Sequence, residues 1–441
     1  MKASLRIGIV ADDLTGAADS GVQFAKVRWR TYVFSPHAWI NESDIGEVQR
    51  KFAEVPVLVI NTQSRNITRK ESYRRVRIAF TLLRDRDLLF KKVDSCLRGN
   101  IGAEVDAALD ATGGREAIFA AAYPAYGRTT KGGLHYLKDR ELVSTEVSQD
   151  PKSPVCNSRV VQIISCQSRR TIAQIDNLGL ANVLDRLAAL MEERFQAGTS
   201  ILSCDAQTDR DLEALVRVAI SREKPPLLVG SAGLAAQVAR LLPIVEKRLH
   251  TEEGRRTLGR TVWVISGSMS SRTAEQLHYL EALPNTLRVF CASEDLCHGY
   301  HHALRAAIAA LGLPGLSFED IRFIILTSRQ DIAGRRELAA ASRRFGMFGR
   351  LVCELLRRYR KEIAGVVLTG GETAEMILRN LRSRGLWLFH ELQPGIPFGV
   401  VEGGELEATP IVTKAGAFGK EDTLVVCAQH LHKCHGEILR L

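Results

Sequence analysis

The sequence predicts an α/β protein of two domains, each a mainly parallel sheet flanked by helices, with a ligand cleft between the domains. The first observation is that short apolar runs alternate with helical patterns along most of the chain, as in βαβ units. The second is length, since 441 residues exceed what one core usually holds. The third is a charged stretch without apolar periodicity at 246–260. We therefore predict domains at 1–245 and 261–441, joined by a linker at 246–260.

The predicted strands are apolar runs that end in polar or glycine-bearing turns. In the first domain they cover Ile7–Ala11, Val57–Ile60, Leu88–Val93, Ala117–Ala122, Val160–Ile164, Ser200–Cys204 and Leu227–Val229. In the second domain they cover Val262–Ile265, Phe323–Leu326, Val366–Leu368 and Ile411–Thr413. Helices are predicted over Thr15–Val27, around Ile172–Phe195, in the Ala-rich stretch after Gly233 and over Ser271–Leu283.

Composition and charge exclude several classes of protein. A hydrophobic content of 45% and a charged content of 25% are typical of a soluble globular protein. No apolar stretch approaches the roughly 20 residues of a membrane span, and residues 1–6 lead into a strand without a signal peptide. We therefore expect a cytoplasmic protein with no membrane partner. The net charge is +10, but the arginines are spread over predicted helix faces, so no nucleic acid partner is expected either.

Cysteine and histidine positions do not predict a metal site. The nine cysteines lack paired metal spacing and are expected to be buried, reduced thiols. His430, His432 and Cys434 lie close together in the sequence, but helical spacing places them on different faces of a terminal helix. We therefore expect the chain to have no metal cluster of its own.

Two acids follow the first predicted strand. Asp12 and Asp13 are adjacent, so their side chains point to opposite sides. One can face a ligand while the other caps the helix that begins near Thr15. The alternative is that both only cap and solvate the turn.

A third acid, Asp94, follows the strand at 88–93 and is flanked by Lys92, Ser95 and Arg98. A carboxylate between cations keeps its charge and can accept a proton from an alcohol. Lys92 and Arg98 can bind a carboxylate or a transferring phosphoryl group, and Arg65, at another strand end, can supply a bidentate clamp. The alternative is an internal network of ion pairs.

Three glycine-bearing turns follow strands of the second domain. They are Ser266-Gly267-Ser268, Thr369-Gly370-Gly371-Glu372-Thr373 and Lys414-Ala415-Gly416-Ala417-Phe418-Gly419. Glycine lets the backbone approach a ligand closely, and a helix N-terminus offers free N–H groups. The three turns together predict a nucleotide site, although tight turns need small residues in any case. Neither the Walker A pattern nor a Gly-x-Gly-x-x-Gly fingerprint after the first strand is present.

These motifs together resemble the four-carbon acid sugar kinase family, and the resemblance runs nearly from end to end. The matching segments are Ala11–Ala17, Lys92–Asn100, Gly127–Thr130, Asp150-Pro151, Ser266–Ser268, Thr369–Thr373, Pro394–Pro397 and Lys414–Asp422. The form of the segment at 92–100 is closer to the D-threonate and D-erythronate branch than to the 3-oxo-tetronate branch. The resemblance implies an amino-terminal sugar-acid domain and a carboxy-terminal nucleotide domain.

The resemblance also implies an activity and a set of site residues. Family members use ATP, with Mg²⁺, to phosphorylate the terminal C4 hydroxyl of four-carbon sugar acids. The expected substrate-binding residues are Asp12, Asp13, Arg65, Lys92, Asp94, Ser95, Cys96, Leu97 and Arg98, with Asp94 and Asp12 as catalytic residues. The expected nucleotide-binding residues are Ser266, Gly370, Gly371, Glu372, Thr373 and Gly416. The expected partners are therefore a sugar acid and ATP, and a homodimer is compatible with this interpretation.

Several positions depart from the family pattern, among them Met269, where a Cys is common, and residues 134–147, which lack the usual form of that stretch. Cys96 stands where Thr is usual, which removes a hydroxyl donor near the expected substrate, and Asn61 stands where Asp is frequent. These departures keep two alternatives open. One is a catalytically impaired family member that acts as a ligand-binding or sensory protein. The other is a kinase of another hydroxy acid, such as 3-oxo-tetronate.

Overall fold

The computed structural model divides the chain into two compact units. The first comprises Met1–Phe34 and Ala38–Lys247, and the second comprises Ser35–His37 and Arg248–Leu441. The structure describes residues 5–36, 40–150, 152–176, 183–243, 259–268, 270–291, 300–311, 320–328 and 338–434. Residues 246–258 of the predicted linker therefore lie outside the described residues.

The first unit alternates strands and helices. Its strands are β1 (Ile7–Ala11), β2 (Thr31–Phe34), β3 (Val57–Asn61), β4 (Leu88–Lys92), β5 (Ala117–Ala120), β6 (Arg128–Lys131), β7 (Leu134–Leu137), β8 (Arg140–Glu141), β9 (Ile172–Ile175), β10 (Ile201–Cys204) and β11 (Leu227–Gly230). Its α-helices are α1 (Leu14–Ala25), α2 (Ile45–Lys51), α3 (Arg69–Leu83), α4 (Ile101–Thr112), α5 (Val160–Ser165), α6 (Val183–Gln196), α7 (Asp209–Ser221) and α8 (Ala232–Leu241).

Eight of these strands form a parallel sheet in the order β2-β3-β1-β4-β11-β5-β10-β9. Along the chain, β3 is followed by β4, which lies on the opposite side of β1 from β3. The direction of winding therefore reverses at β1. In open α/β sheets ligands bind beyond the carboxyl ends of strands at such a reversal. Three further strands form a small antiparallel sheet in the order β6-β7-β8.

The second unit also has a mainly parallel sheet. Its strands are β12 (Thr261–Ser266), β13 (Thr286–Cys291), β14 (Phe323–Ser328), β15 (Ile363–Thr369), β16 (Gly385–Gln393), β17 (Ile396–Glu402) and β18 (Pro410–Lys414). Its helices are α9 (Ser271–Glu281), α10 (Tyr300–Leu311), α11 (Leu338–Arg358), α12 (Gly371–Asn380) and α13 (Thr423–Lys433). The order is β13-β14-β12-β15-β18-β17-β16, in which β17 is antiparallel to both of its neighbours.

The sequence assigned two segments of the first unit wrongly. Val160–Ile164, expected as a strand, lies in α5, where Val160, Ile163 and Ile164 are buried at helical spacing. Ile172–Ile175, expected within a helical stretch, is the strand β9. Short apolar runs fit either structure, and only packing decides between them. No helix in the described part of the chain is long and apolar enough to cross a membrane.

Candidate functional site

The predicted acids of the first unit lie at neighbouring strand ends. Ala11, the last residue of β1, is paired in register with Asn61 of β3 and with Lys92 of β4. The residues that follow these three strands therefore share one edge of the sheet, and they include Asp12, Arg65 and Asp94. Of the two adjacent acids, Asp13 is the helix cap, because its Oδ1 accepts the N–H of Gly16 at 2.9 Å.

Arg65 joins three carboxylates at this edge. Its Nε donates to Asp12 Oδ2 at 2.7 Å, and its Nη2 donates to Asp12 Oδ1 at 3.1 Å and to Asp13 Oδ1 at 2.7 Å. The same Nη2 lies 3.7 Å from Asp94 Oδ1. Burial alone raises the pKa of the Asp12 carboxyl, but Arg65, Lys91 and Lys92 together hold it below its usual value. Asp12 therefore stays ionised at neutral pH.

Asp94 is held by the turn that follows it. Its Oδ2 accepts Arg98 Nε at 2.8 Å, and its Oδ1 accepts Arg98 Nη2 at 3.0 Å. The backbone N–H groups of Cys96 and Arg98 also donate to Oδ2, and Leu97 completes the turn with a φ of 61°. Although burial raises it, the pKa of Asp94 lies well below its usual range because of Arg98 and Arg65. A remaining nitrogen of Arg98, Nη1, donates to Asp150 at 3.2 Å.

Lys92 differs from the other cations of this cluster. It is 4% exposed, yet no carboxylate among the described residues lies within 4.0 Å of its ammonium. Its Nζ lies so close to the start of α1 that a Cβ on Gly16 would be 2.9 Å away. Its neighbour Lys91 is paired instead, with Glu104 at 2.7 Å. Among the described residues, Lys92 is therefore a buried cation at this edge without a carboxylate within 4.0 Å.

The small antiparallel sheet supports the turn from another side. His135 of β7 is fully buried, and its Nε2 lies 2.9 Å from the carbonyl oxygen of Ser95. Its Nδ1 lies 2.8 Å from the hydroxyl of Thr130. Burial lowers the pKa of His135 to about 4, so the ring is neutral and donates from Nε2 to Ser95. Cys96 is also buried. Burial raises the pKa of its thiol, and the nearby negative charge of Asp94 raises it further.

A second buried network, which the sequence analysis did not identify, lies behind the strand ends. Glu104 of α4 accepts the ammonium of Lys91 on one oxygen and the hydroxyls of Ser64 and Ser72 on the other, at 2.6 and 2.7 Å. Ser64 precedes Arg65 directly. The roles of His135 and Thr130 were also not predicted. Thr130 lies in the Gly127–Thr130 motif, whereas His135 has no sequence signal, because pairing across a sheet leaves no local pattern.

The three glycine-bearing turns of the second unit also meet at one sheet edge. Ser266 of β12 pairs with Thr369 of β15, which pairs with Lys414 of β18. Gly370 has a φ of 98°, which favours glycine. The hydroxyl of Thr273, on α9, donates to the carbonyl of Gly416 at 2.8 Å. The structure therefore brings all three turns together, with Gly371, Glu372 and Thr373 at the start of α12.

The described residues contain no group of three or more His, Cys, Asp or Glu side chains that could hold a metal ion. Of the side chains considered near the C-terminus, His430 Nε2 lies 3.5 Å from Cys434 Sγ. Asn61, which departs from the family pattern, accepts the N–H of Gln63 on its Oδ1 at 3.1 Å. An Asp can accept the same N–H, so the turn accommodates either residue and nothing in it accounts for the departure.

Comparison with protein families gives two adjoining matches. Residues 7–238 match a sugar-binding N-terminal domain, and residues 263–424 match a nucleotide-binding C-terminal domain. Together these two matches span most of the chain.

Curated relatives match the chain over nearly its whole length. The D-threonate kinase of Salmonella typhimurium is 31% identical over 95% of this chain and 97% of the relative. The D-erythronate kinase of Heliobacterium modesticaldum is 30% identical over 96% of both chains. A 3-oxo-tetronate kinase of Methylobacterium radiotolerans is 27% identical over 95% of this chain and 97% of the relative. A solved structure from Salmonella typhimurium LT2 has the same fold, with a TM-score of 0.76 at 22% identity over 96% of this chain and 99% of that one.

Proposed function

Since the chain belongs to the four-carbon acid sugar kinase family, we propose that it transfers the γ-phosphoryl group of ATP to the terminal C4 hydroxyl of D-threonate or D-erythronate. The observation that carries this proposal is the end-to-end similarity to curated kinases of those two acids, at 31% and 30% identity. The 3-oxo-tetronate kinase relative is less similar, at 27%. A 3-oxo acid is therefore the second choice of substrate.

The cluster at the sheet edge of the first unit supports an acceptor site there. Lys92 is the cation we assign to the substrate carboxylate, because Arg65 and Arg98 already donate to Asp12 and Asp94. In our proposal Asp12 or Asp94 orients the C4 hydroxyl and takes its proton. The C4 oxygen then bonds to the γ-phosphorus as the bond to the bridging oxygen of ADP breaks. Both carboxylates are weak bases, so positioning contributes more than proton removal, as is general in phosphoryl transfer.

The glycine-bearing turns of the second unit support the donor site. Ser266, Gly370–Thr373 and Gly416 lie at one sheet edge, where free N–H groups and a helix N-terminus favour phosphate. Mg²⁺ is usually held by one or two carboxylates together with the substrate phosphates. Glu372, exposed on the first turn of α12, fits such a role, and Mg²⁺ would neutralise charge on the phosphates. We place the enzyme in the cytoplasm, where ATP is available; a homodimer and the absence of nucleic acid partners stay predictions.

The test is ADP release, coupled to a spectroscopic assay, with D-threonate, D-erythronate and the 3-oxo acids. We expect turnover with one of the first two acids. Silence across the whole panel would refute the kinase assignment.

The second candidate function is a ligand-binding protein without turnover. It is favoured by the buried Cys96, which replaces a hydroxyl donor near the expected substrate. Calorimetry separates the two functions. The binding protein would bind ATP or an acid without producing ADP. The kinase would convert ATP to ADP when both ligands are present.

A further inference from the structure

Lys414 is the last residue of β18, and its side chain lies under the loop that follows this strand. The residue is fully buried, and its ammonium donates to three backbone carbonyls of that loop. These belong to Ala415 at 3.0 Å, Gly416 at 3.0 Å and Phe418 at 3.2 Å. No carboxylate of the described residues lies within 4.0 Å of this ammonium. The charge of Lys414 is therefore matched by carbonyl dipoles of the loop and not by an acid.

Helix α9 supplies two further donors to the same loop. Thr273 donates its hydroxyl to the Gly416 carbonyl at 2.8 Å. Gln276 donates its amide to the carbonyls of Phe418 and Lys420, at 3.1 and 2.6 Å. Both side chains are fully buried. Four carbonyls of the loop are thus turned toward donors inside the protein.

This arrangement fixes the direction of the loop N–H groups. In a trans peptide the N–H of each residue points away from the carbonyl of the residue before it. The N–H groups of Gly416, Ala417 and Gly419 follow the three carbonyls that Lys414 binds, and they have no acceptor among the described residues. The N–H groups of Gly416 and Ala417 are successive, and successive N–H groups that point outward form a concave site for an anion.

We propose that Lys414 is a positioning residue for the phosphates of the nucleotide. It does not contact the nucleotide; it turns the loop carbonyls inward so that the N–H groups of Gly416, Ala417 and Gly419 face the ligand. This inference rests on the proposed function, because it takes the anion bound at the loop to be a nucleotide phosphate.

The surroundings of Lys414 link this role to pH. Burial lowers the pKa of Lys414 to about 7. The groups that face it are the thiol of Cys427 on α13, whose pKa burial raises to about 12, and the guanidinium of Arg272 on α9. A phosphate bound to the loop favours the ammonium form, so nucleotide binding and proton uptake at Lys414 are coupled.

The test measures ATP binding by titration calorimetry in the full chain and the KM of each substrate. Lys414→Met removes the three donors at similar volume and is expected to weaken ATP binding roughly tenfold or more. The KM of the sugar acid should change by less than about twofold, within the usual scatter. Thr273→Val removes one donor and should weaken ATP binding less. The matched control is Lys433→Met, which removes an exposed lysine of the same unit.

Proton uptake gives a readout that a general loss of structure would not produce. Titrations at pH 7.5 in two buffers of different ionisation enthalpy should show uptake in the unmodified chain that Lys414→Met lacks and Lys433→Met retains. ATP affinity of Lys414→Met equal to that of Lys433→Met would overturn the inference while the proposed function stands. If Lys414→Met does not fold, unchanged ATP affinity in Thr273→Val overturns it. A natural chain that binds no ATP would overturn both.

Discussion

At the scale of single residues, the first unit concentrates buried charge at one sheet edge and pairs almost all of it. Arg98 holds Asp94 with two hydrogen bonds, and Arg65 joins Asp12 to Asp13. A buried carboxylate without such a partner would lose its charge, whereas these keep it. Lys92 is an exception, since no carboxylate among the described residues lies within 4.0 Å of its ammonium, and we therefore propose it as the ligand-binding cation.

Lys92→Met should therefore weaken the binding of the sugar acid and leave the binding of the nucleotide unchanged. Loss of one charge-assisted hydrogen bond corresponds to a rise in the KM of the acid of roughly tenfold to a hundredfold. Steady-state kinetics with each substrate varied in turn would measure this. Lys70→Met, an exposed lysine on α3, is the matched control. A normal KM for the acid in Lys92→Met would show that another group binds the carboxylate.

His135 should make stability depend on pH in a defined window. The unfolded chain protonates this residue near pH 6.5, whereas burial lowers the pKa in the folded protein to about 4. The unfolded state thus binds more protons between these values, so stability is complete above pH 6.5 and falls as pH drops toward 4. The loss is about 3 kcal/mol from this one residue.

Urea titrations from pH 7 to pH 4 in the natural chain and in His135→Gln would measure that window. The variant should show a shallower decline, because Gln does not titrate. Asp12 and Asp94 also stabilise the folded state less as pH falls. Their effect appears at lower pH than that of His135, because their pKa values are held below 3.8. Identical slopes in both proteins would contradict the assignment to His135.

At the scale of elements, strand ends position the ligand-binding side chains and helices hold those strand ends in place. Glu104, on α4, connects Lys91 of β4 with Ser72 of α3 and with Ser64 beside Arg65. The network is buried and each oxygen of Glu104 has a partner. Buried networks of this kind tie elements together and are costly to leave incomplete.

Glu104→Gln should therefore be strongly destabilising, because it leaves the ammonium of Lys91 buried without a counter-ion. The expected loss is about 3–5 kcal/mol in the free energy of unfolding. The double variant Lys91→Met with Glu104→Gln removes both charges and should recover much of that loss. Urea unfolding of the two single variants and the double variant completes the cycle. Additive losses in the double variant would show that the two side chains do not act as a pair.

At the scale of the whole molecule, the two units have the same architecture but different chemistry at their strand ends. The first unit presents acids with arginines and Lys92, which suit a hydroxy acid. The second presents glycine-bearing turns, which suit phosphate. The two family matches divide the chain in the same sense, sugar-binding at 7–238 and nucleotide-binding at 263–424.

This division predicts that nucleotide binding can be weakened without loss of acid binding. A Cβ on Gly416 would clash with Ser268 Oγ and press on the Cβ of Ser270, so Gly416→Ala requires the side chain of Ser268 or the turn that carries it to move. We expect ATP affinity to fall by roughly tenfold or more, about 1.4 kcal/mol, with sugar-acid affinity unchanged. Calorimetry with each ligand alone would test this, with circular dichroism to verify folding. An equal loss of both affinities would argue against separate sites.

The sequence by itself determined the fold class, the family and the residue types at the strand ends, because these depend on local periodicity and on ordered motifs. It did not determine whether short apolar runs such as Val160–Ile164 are helix or strand, since that depends on packing. Only the tertiary structure decided which charges are paired, because Arg65 reaches Asp12 across 53 positions of sequence. The same holds for the roles of His135, Glu104 and Lys414, whose partners are brought together by the pairing of strands and the packing of helices.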